Sequence, residues 1–455
     1  MSLELPEFED IVILYGENGS GKTTLLRLVF HMLSAANNRG HRTYIRKTPF
    51  QRLALYLSDG TILSAKREHG FSHAPIEYVI ELPDGEPVRY RDVPDDLKER
   101  LAVDVIRHER STLNSRYQFK RTLSDDFDLE YKKWFRDSDE STEKKFLSTL
   151  AQVCPHTYYI STERQIQSDQ LDNNDEAVPA RQRIENRGEL IASTRSVYLK
   201  QALAAGAKAI HAEVFKAANL GGADSNEVYK NLVSMLSKAN LGADETSGDL
   251  MIVLEQLREL RVRNRSFARL GLMPNFNMEA IFPILRSHDT KNKEMIELVV
   301  KPYIDSMNKR LDALESVHTM IRTFLRSLND FFAFKKITFR MGAGFQITGM
   351  TGEALAPDQL SSGEQQLLLI FCNVLASRSG ASLFIIDEPE ISLNVKWQRN
   401  LIDSLRKIIA GSSGQLLIAT HSIELLAQHS ESVASLKPTK ISKEAYLPND
   451  SEEND

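Results

Sequence analysis

The sequence predicts an α/β fold that combines a buried sheet, an antiparallel β-subdomain and an inserted helical region. Short runs of β-branched and aliphatic residues at 11–14, 383–386 and 416–420 are typical of buried strands. Alternating segments separated by turn residues between positions 50 and 85 are typical of antiparallel hairpins. Between positions 189 and 332, apolar residues recur at spacings of three and four, which is typical of helices.

Composition sets the broad class of the protein. With 455 residues, of which 42% are hydrophobic and 26% charged, the chain has material for about two or three domains. The formal net charge of -5 argues against a protein that coats nucleic acid with its whole surface, although it is compatible with local basic patches. The two cysteines, Cys154 and Cys372, have neither metal-ligand spacing nor the pattern of a disulfide framework. No segment reaches the roughly twenty apolar residues of a membrane span, and residues 1–10 do not resemble a signal peptide, so we expect a cytoplasmic protein.

A glycine-rich segment follows the first strand and precedes a helical pattern. It comprises Gly16, Glu17, Asn18, Gly19, Ser20, Gly21, Lys22, Thr23 and Thr24. This is the GxxxxGK[ST] pattern of a P-loop, in the strand–loop–helix context that the motif requires. Its backbone N–H groups would bind phosphate oxygens, Lys22 would reach the β- and γ-phosphates, and the Thr23 hydroxyl would bind Mg²⁺. The alternative is a Gly/Ser turn that happens to precede a helix.

The next segments predict an antiparallel section beside this loop. Residues 50–57 and 61–64 form a hairpin pattern, and residues 78–82 form a further strand pattern. The segment from 39 to 52 is basic without any acidic residue, carrying Arg39, Arg42, Arg46, Lys47 and Arg52. We interpret it as a solvated strand edge, with binding of phosphate or of an acidic partner as the alternative.

Residues 157–161 predict another buried strand, which Arg164 and Gln165 follow closely. Because ligands of open α/β sheets gather at the carboxyl ends of strands, these two residues are candidate neighbours of the site. An ordinary surface position for Arg164 is the alternative.

Helical patterns follow at 189–220, 226–238, 249–270 and 292–332. The apolar stripe of the last one indicates packing along a neighbouring helix, as in a short coiled-coil arm. The third helix carries a cluster of arginines: Arg258, Arg261, Arg263, Arg265 and Arg269. Like charges at this spacing repel unless a partner neutralises them, so this helix is the candidate contact for nucleic acid or an acidic protein. The alternative is a solvated face with Glu255 and Glu259 as local partners.

The C-terminal part predicts the second half of the site. After a hairpin pattern at 336–349, which we expect to return the chain to the sheet, Ser361, Ser362, Gly363 and Glu364 form a turn before an apolar helix. Free N–H groups, a hydroxyl and the helix dipole make this turn an anion site.

Two apolar strands then end in residues suited to catalysis. Asp387 and Glu388 follow the strand at 383–386, where one carboxylate could bind the Mg²⁺ shell and the other could activate water. His421 follows the strand at 416–420, where it could sense the γ-phosphate or position the attacking water.

In this order, the motifs resemble those of ABC-type ATPases of the SMC, RecF and OLD-like branch, over residues 11–35 and 330–425. The resemblance implies ATP and Mg²⁺ as cofactors and ATP hydrolysis as the activity. It implies Walker A at 16–24, the signature at 360–366, Walker B at 383–387 and a D-loop at 392–394. The catalytic residues would be Lys22, Glu388 as the base, and His421 as the switch histidine. The metal would be bound by Thr23 and Asp387.

The family also implies a partner. Its signature closes over ATP bound by another subunit, so the resemblance implies a homodimer or higher homo-oligomer in which Ser361 and Gly363 act in trans. This sequence departs from transporter ATPases at Ser362, where they usually have Gly, and at Glu364, where they have Gln. The Q-loop has two weak candidates, Gln118 and Gln165.

These patterns predict an N-terminal ATPase lobe at 1–167, a helical insertion at 181–330, a C-terminal lobe at 331–435 and an acidic tail at 436–455. Because little sequence follows His421, we expect any TOPRIM nuclease to be a separate chain.

The layout is similar to stand-alone ATPases of bacterial anti-phage systems, such as AriA of PARIS or the ATPase of Septu-type systems. It implies an ATP-switched sensor or scaffold that controls a separate nuclease or toxin effector when a phage protein triggers it. A DNA-repair or DNA-maintenance ATPase that binds DNA through the arginine cluster is the alternative. A transporter subunit is disfavoured by the signature and the long insertion, and we expect no membrane partner.

Overall fold

A computed structural model describes residues 10–36, 39–67, 75–93, 140–161, 166–168, 196–219, 249–275, 290–427 and 429–435. The strands are β1 (Ile11–Tyr15), β2 (Arg52–Tyr56), β3 (Ile62–Arg67), β4 (Ile76–Glu81), β5 (Val88–Asp92), β6 (His156–Ile160), β7 (Ile166–Ser168), β8 (Lys336–Arg340), β9 (Gly344–Thr348), β10 (Ala354–Leu355), β11 (Ser382–Asp387), β12 (Gly414–Thr420) and β13 (Val433–Ser435). The α-helices are α1 (Lys22–Leu33), α2 (His41–Lys47), α3 (Glu140–Val153), α4 (196–219), α5 (Asp249–Leu270), α6 (Thr290–Asn329), α7 (Ser362–Ala376), α8 (Val395–Ile409) and α9 (Ile423–Leu426).

The central sheet joins the two ends of the chain. Within the described residues its strand order is β13-β1-β12-β11-β6-β7, and its pairs are parallel except for β6 with β7. The N-terminal strand β1 lies between β12 and β13, so C-terminal strands complete the sheet on both sides of it. As a result, the carboxyl ends of β1, β11 and β12 meet at one edge.

Both faces of this sheet are covered, which explains why its strands are continuous apolar runs. Ile11 and Ile13 of β1 belong to a core that also contains residues of α4–α8. Val12 and Leu14 belong to a second core, shared with α1, α2, α3 and the antiparallel sheet. Alternate residues of this strand therefore pack into hydrophobic cores on opposite faces of the sheet. The predicted α/β fold class is confirmed.

The predicted antiparallel section is also confirmed. Strands β2, β3, β4 and β5 pair in sequence order as an antiparallel sheet. Along β4, buried Ile76, Tyr78 and Ile80 alternate with half-buried residues. The buried face packs on α3, where the ring of Tyr78 lies 5.7 Å from that of Phe146. This sheet thus stabilises the α1 side of the central sheet.

Most of the basic segment at 39–52 is not a strand edge, although Arg52 lies exposed on the edge strand β2 as interpreted. His41–Lys47 form the helix α2, so that interpretation is wrong for Arg42 and Arg46. Arg42 donates a hydrogen bond of 2.8 Å to the carbonyl oxygen of Ser34, just after α1. Arg46 forms an ion pair with the buried Asp92 of β5. Local composition could not show this because the partners lie elsewhere in the chain.

The helices α4, α5 and α6 share their apolar core with α7 and the central sheet. Between α5 and α6, the ring of Phe267 stacks on that of His318 with centroids 4.1 Å apart. The expected helix at 226–238 lies outside the described residues. In the part of the chain that the structure describes, no helix combines the length and apolarity that a bilayer crossing requires.

The predicted hairpin β8–β9 forms, but it does not return to the central sheet. Together with β10 it makes a separate three-stranded antiparallel sheet in the order β10-β9-β8. Along β8, buried Ile337 and Phe339 alternate with more exposed residues, whereas β11 is buried throughout. A strand with a single apolar face suits an outer, half-solvated sheet, so the expected return to the central sheet was wrong.

Candidate active site

The P-loop turns tightly between β1 and α1. Gly19 and Gly21 have φ angles of 79° and 90°, which favour glycine because a side chain would be strained there. Lys22 is only 5% exposed, and its ammonium donates to the carbonyl oxygens of Gly16 (2.6 Å) and Glu17 (3.0 Å). An ammonium has three donors, so these two bonds leave one N–H for a ligand.

The P-loop helix is linked directly to the end of β11. The Thr23 hydroxyl donates to Oδ1 of Asp387 at 3.2 Å. The second oxygen, Oδ2, accepts a 3.2 Å hydrogen bond from the hydroxyl of Tyr159, and Nε of Arg27 donates to that hydroxyl at 3.3 Å. Burial, reinforced by the charge of Asp387, raises the pKa of Tyr159, so the phenol stays protonated and remains a donor.

Tyr159 and Arg27 are therefore polar neighbours of the site that sequence reasoning missed. Residues 157–161 were interpreted as a strand, and nothing in the local pattern distinguished Tyr159 from a core aromatic. Only the pairing of β6 with β11 places its hydroxyl against Asp387.

One cavity of about 370 Å³ gathers half of the residues predicted for the site. It is lined by Asn18, Gly19, Gly21, Lys22, Thr23, Thr24, Glu388 and His421. These residues come from the P-loop, the end of β11 and the end of β12, which meet because the three strands are parallel neighbours. The structure thus brings together residues as distant in the sequence as Asn18 and His421.

Two acids flank His421. Its Nδ1 lies 3.6 Å from Oε1 of Glu388 and 3.1 Å from Oε1 of Glu390. Glu388 has a positive φ of 50°, and its N–H donates to the carbonyl oxygen of Ala419 at 2.8 Å. This backbone bond holds the start of the loop after β11 against β12. Glu390 was missed by sequence reasoning, although a third acid soon after a buried strand was a signal that could have found it.

The signature turn caps α7. The Ser361 side chain accepts from the N–H of Glu364, and Oε2 of Glu364 accepts from the N–H of Ser361 at 2.7 Å, which is a capping box. The same oxygen accepts from Nζ of Lys335 at 2.7 Å. Burial raises the pKa of Glu364, but these hydrogen bonds outweigh it and hold the pKa below its usual range. The turn is therefore rigid and keeps its acid ionised.

The signature residues do not line the cavity of their own chain. Ser361 and Ser362 are exposed, whereas Gly363 and Glu364 are buried. A Cβ on Gly363 would lie 2.5 Å from the carbonyl oxygen of Ser392, so only glycine fits this close approach. The signature and the loop after β11 are thus packed backbone to backbone.

The arginine cluster of α5 divides into two groups. Arg263 turns toward α6 and pairs with Asp312 and Glu315, each at 2.7 Å. The other four are exposed, and Arg258 pairs with the exposed Glu255. The remaining three, Arg261, Arg265 and Arg269, have no ion-pair partner among the described residues and share one face with the 75% exposed Val262. We refer to these three residues as the arginine stripe.

Three sequence-based candidates fall outside the described residues. These are Arg164 and Gln165, proposed as site neighbours, and Gln118, the other Q-loop candidate. Their roles stay predictions.

Comparison with known proteins identifies a matching family, a relative with a similar sequence, and several similar solved structures. A family model described as "AAA domain, putative AbiEii toxin, Type IV TA system" matches residues 11–222 and 254–427. The lipoprotein-releasing system ATP-binding protein LolD of Ruegeria pomeroyi is 35% identical over 89 residues. That match covers 20% of this chain and 37% of LolD, so the chain spans little more than a third of that relative's length.

Solved structures of Smc head domains are also similar. One, from Pyrococcus furiosus with an extended coiled coil bound to the C-terminal domain of ScpA, is 11% identical with a TM-score of 0.31, covering 93% of this chain and 86% of that one. Another, from Pyrococcus yayanosii with a coiled coil and joint, is 13% identical with a TM-score of 0.30, covering 93% and 89%. These are distant likenesses of fold, and the site geometry rests on the residues of this chain.

Proposed function

The chain belongs to the family described as "AAA domain, putative AbiEii toxin, Type IV TA system", whose model matches most of its length, and we propose that it is an ABC-type, SMC-like ATPase that binds ATP with Mg²⁺ and hydrolyses the ATP. One observation carries the proposal: the P-loop, the end of β11 and the end of β12 contribute to a single cavity. Its volume of about 370 Å³ lies in the range of small-molecule sites.

The residues present fit a nucleotide with a divalent cation. The buried hydroxyl of Ser20 has no hydrogen-bond partner among the described residues, so it can bond to a phosphate oxygen. Thr23 and Asp387 offer the hard oxygen ligands that Mg²⁺ prefers, and they already touch each other. Bound Mg²⁺ would supply the Lewis acid that neutralises charge on the phosphates.

Each of these side chains has a separate role in the proposed hydrolysis. Lys22 neutralises negative charge that develops on the phosphates, from a position already fixed by two carbonyl oxygens. Glu388 accepts a proton from the attacking water as general base, and His421 positions that water or the terminal phosphate. Tyr159 holds the Asp387 carboxylate in place by occupying its second oxygen.

We propose further that the active form is a homodimer or higher homo-oligomer. The exposed Ser361 and Ser362 at the N-terminus of α7 support this proposal, because they lie on the surface outside the cavity of their own chain, where nucleotide bound by another copy could reach them. Gly363 and Glu364 would hold the turn, and Glu364 is itself held by Lys335.

Replacing Ser361 with Arg is expected to block ATP-dependent dimerisation while ATP binding stays within about twofold of wild type, because the bulk and charge lie outside the chain's own cavity. Size-exclusion chromatography with and without ATP, together with a binding titration, measures both. Ser361→Ala is the matched control, since it also removes the helix cap at a cost of about 1 kcal/mol but adds no bulk. Loss of ATP binding in the Arg variant alone would mean that the signature acts in cis.

In the cell, we propose that nucleotide state switches a sensor or scaffold that controls a separate nuclease or toxin effector, TOPRIM-type or other, in anti-phage defence, in the manner of AriA of PARIS. The family description, which names a toxin and a toxin–antitoxin system, supports this proposal.

We also propose the division into lobes at 1–167 and 331–435, a helical insertion at 181–330 and an acidic tail at 436–455. Coupling to a lipoprotein transporter is not proposed, because the LolD match covers only 20% of the chain.

Affinity purification of the Glu388→Gln chain from its native host with ATP and Mg²⁺ tests the cellular role. Mass spectrometry and nucleic-acid analysis of the eluate identify the partner, with the Lys22→Ala chain as the nucleotide-free control. A stoichiometric nuclease or toxin that co-elutes only with the Glu388→Gln chain supports effector control. DNA retained without such a protein contradicts it and favours DNA repair or maintenance.

The arginine stripe is the observation that keeps direct DNA binding as the second candidate function. Replacing Arg261, Arg265 and Arg269 with Ala is expected to reduce the slope of log affinity against log salt by roughly two to three, because each phosphate contact contributes about 0.9. Fluorescence anisotropy with duplex DNA at several salt concentrations measures this slope. The charge-matched control replaces the exposed Lys66, Lys200 and Lys336 instead. An unchanged slope in the arginine variant would exclude the stripe as the DNA contact.

A further inference from the structure

Glu390 is a buried acid beside the proposed catalytic residues. Its side chain is 5% exposed, and Oε1 accepts hydrogen bonds from the Thr420 hydroxyl (2.6 Å) and from the N–H of His421 (2.9 Å). The Thr420 hydroxyl in turn accepts from the N–H of Ser422 at 2.9 Å, so its proton is directed to Glu390. The carboxylate therefore holds Thr420 and His421 directly at the end of β12, and Ser422 through the Thr420 hydroxyl.

The surroundings of Glu390 suit one particular partner. A buried carboxylate is costly unless hydrogen bonds or a nearby cation compensate for lost hydration. Among the described residues, no lysine or arginine pairs with Glu390, and the ionisable group within ion-pair distance is the His421 ring, whose Nδ1 lies 3.1 Å from Oε1. The second oxygen, Oε2, is buried and has no hydrogen-bond partner among the described residues. Since Oε1 already accepts two hydrogen bonds, the carboxylate's spare acceptor capacity for a ring N–H is at Oε2.

His421 has a second acid within reach. Its Nδ1 lies 3.6 Å from Oε1 of Glu388, which is 0.5 Å farther than the contact with Glu390. A hydrogen bond from Nδ1 to Glu388 would occupy an acceptor that a general base needs for water. A hydrogen bond from Nδ1 to Glu390 leaves Glu388 free and leaves Nε2 for the ligand. The two acids thus compete for one proton on the ring.

We propose that Glu390 is the positioning residue of His421: it accepts the Nδ1–H, holds the ring with Nε2 available to the cavity, and keeps the ring from bonding to Glu388. The inference deepens the proposed ATPase function and rests on it for its kinetic consequence. Its structural basis, the 3.1 Å contact of Nδ1 with Glu390, does not depend on hydrolysis. Hydrogen bonds of this kind to catalytic or ligating histidines fix the tautomer and the orientation of the ring.

Kinetics of the full chain test the consequence. Glu390→Gln keeps an oxygen for Thr420 and the His421 backbone but removes the carboxylate, so kcat should fall roughly tenfold to hundredfold while the affinity for a non-hydrolysable ATP analogue changes by less than about twofold. In the His421→Ala background the same substitution should cost less than about twofold, because no ring remains to be positioned. Glu390→Asp should restore part of kcat. The control is Glu424→Gln, an exposed acid paired with Arg399.

Nitrogen NMR of histidine-labelled protein without nucleotide tests the structural basis separately. His421→Ala assigns the His421 signals, which should show a protonated Nδ1 in the wild type and a shifted Nδ1 in Glu390→Gln. An Nδ1 signal that Glu390→Gln leaves unchanged overturns the proposal, as do equal kinetic costs of Glu390→Gln with and without His421. If the wild type neither binds nor hydrolyses ATP but the Nδ1 shift occurs, the ATPase function has failed and the positioning contact stands.

Discussion

Replacing Glu388 with Gln is expected to lower the rate of ATP hydrolysis at least about a hundredfold while ATP binding is retained. The amide has the shape of the carboxylate but cannot accept a proton from water. Its backbone is held by the hydrogen bond from its N–H to Ala419, which the substitution leaves intact, so the loop should keep its conformation. Phosphate release and equilibrium binding of ATP measure the two effects. In the dimeric form that we propose, the variant should also accumulate as an ATP-bound dimer.

The control for Glu388→Gln is again Glu424→Gln, which removes an exposed acid close in sequence to His421. This control should hydrolyse ATP at the wild-type rate. Hydrolysis at that rate by the Glu388→Gln chain itself would disprove the assignment of Glu388 as the base. Equal losses in both variants would point to a general effect of charge near the site.

Replacing Lys22 with Ala is expected to weaken ATP binding by roughly thirtyfold or more. Lys22 is 5% exposed, so its attraction to phosphate is little screened, and truncating one partner of a buried charge pair costs about 2 kcal/mol or more. Isothermal titration with ATP and Mg²⁺ measures the loss. Hydrolysis should become undetectable at ATP concentrations that saturate the wild type.

Lys22 also bonds to the carbonyl oxygens of Gly16 and Glu17, so its removal could loosen the P-loop itself. Thermal unfolding separates the two effects, because ATP should raise the Tm of the wild type but not that of the variant. Lys47→Ala, which removes an exposed lysine of α2, is the matched control and should keep the ATP-dependent rise. A Lys22→Ala chain that still shows the full rise would place the nucleotide elsewhere.

The candidate site could be predicted in large part because its elements are local in sequence. The P-loop is a continuous segment, and Asp387, Glu388 and His421 each directly follow an apolar run. Because parallel strands present their carboxyl ends at one edge, knowing the strands was enough to expect these residues together. The cavity contains Lys22, Glu388 and His421, as that argument expects.

The sequence alone determined the α/β class, the P-loop between β1 and α1, and the acids and histidine at strand ends, since apolar periodicity and glycine spacing are readable within short windows. Tertiary structure decided the rest. It placed residues 41–47 of the basic segment in a helix whose arginines contact Ser34 and Asp92. It also put β8 and β9 in a sheet of their own, and placed Tyr159 against Asp387 and Glu390 against His421. These contacts join segments that are distant in the sequence or that a loop brings together. Their energies depend on burial and on interatomic distance, and neither quantity can be read from a local pattern of residues.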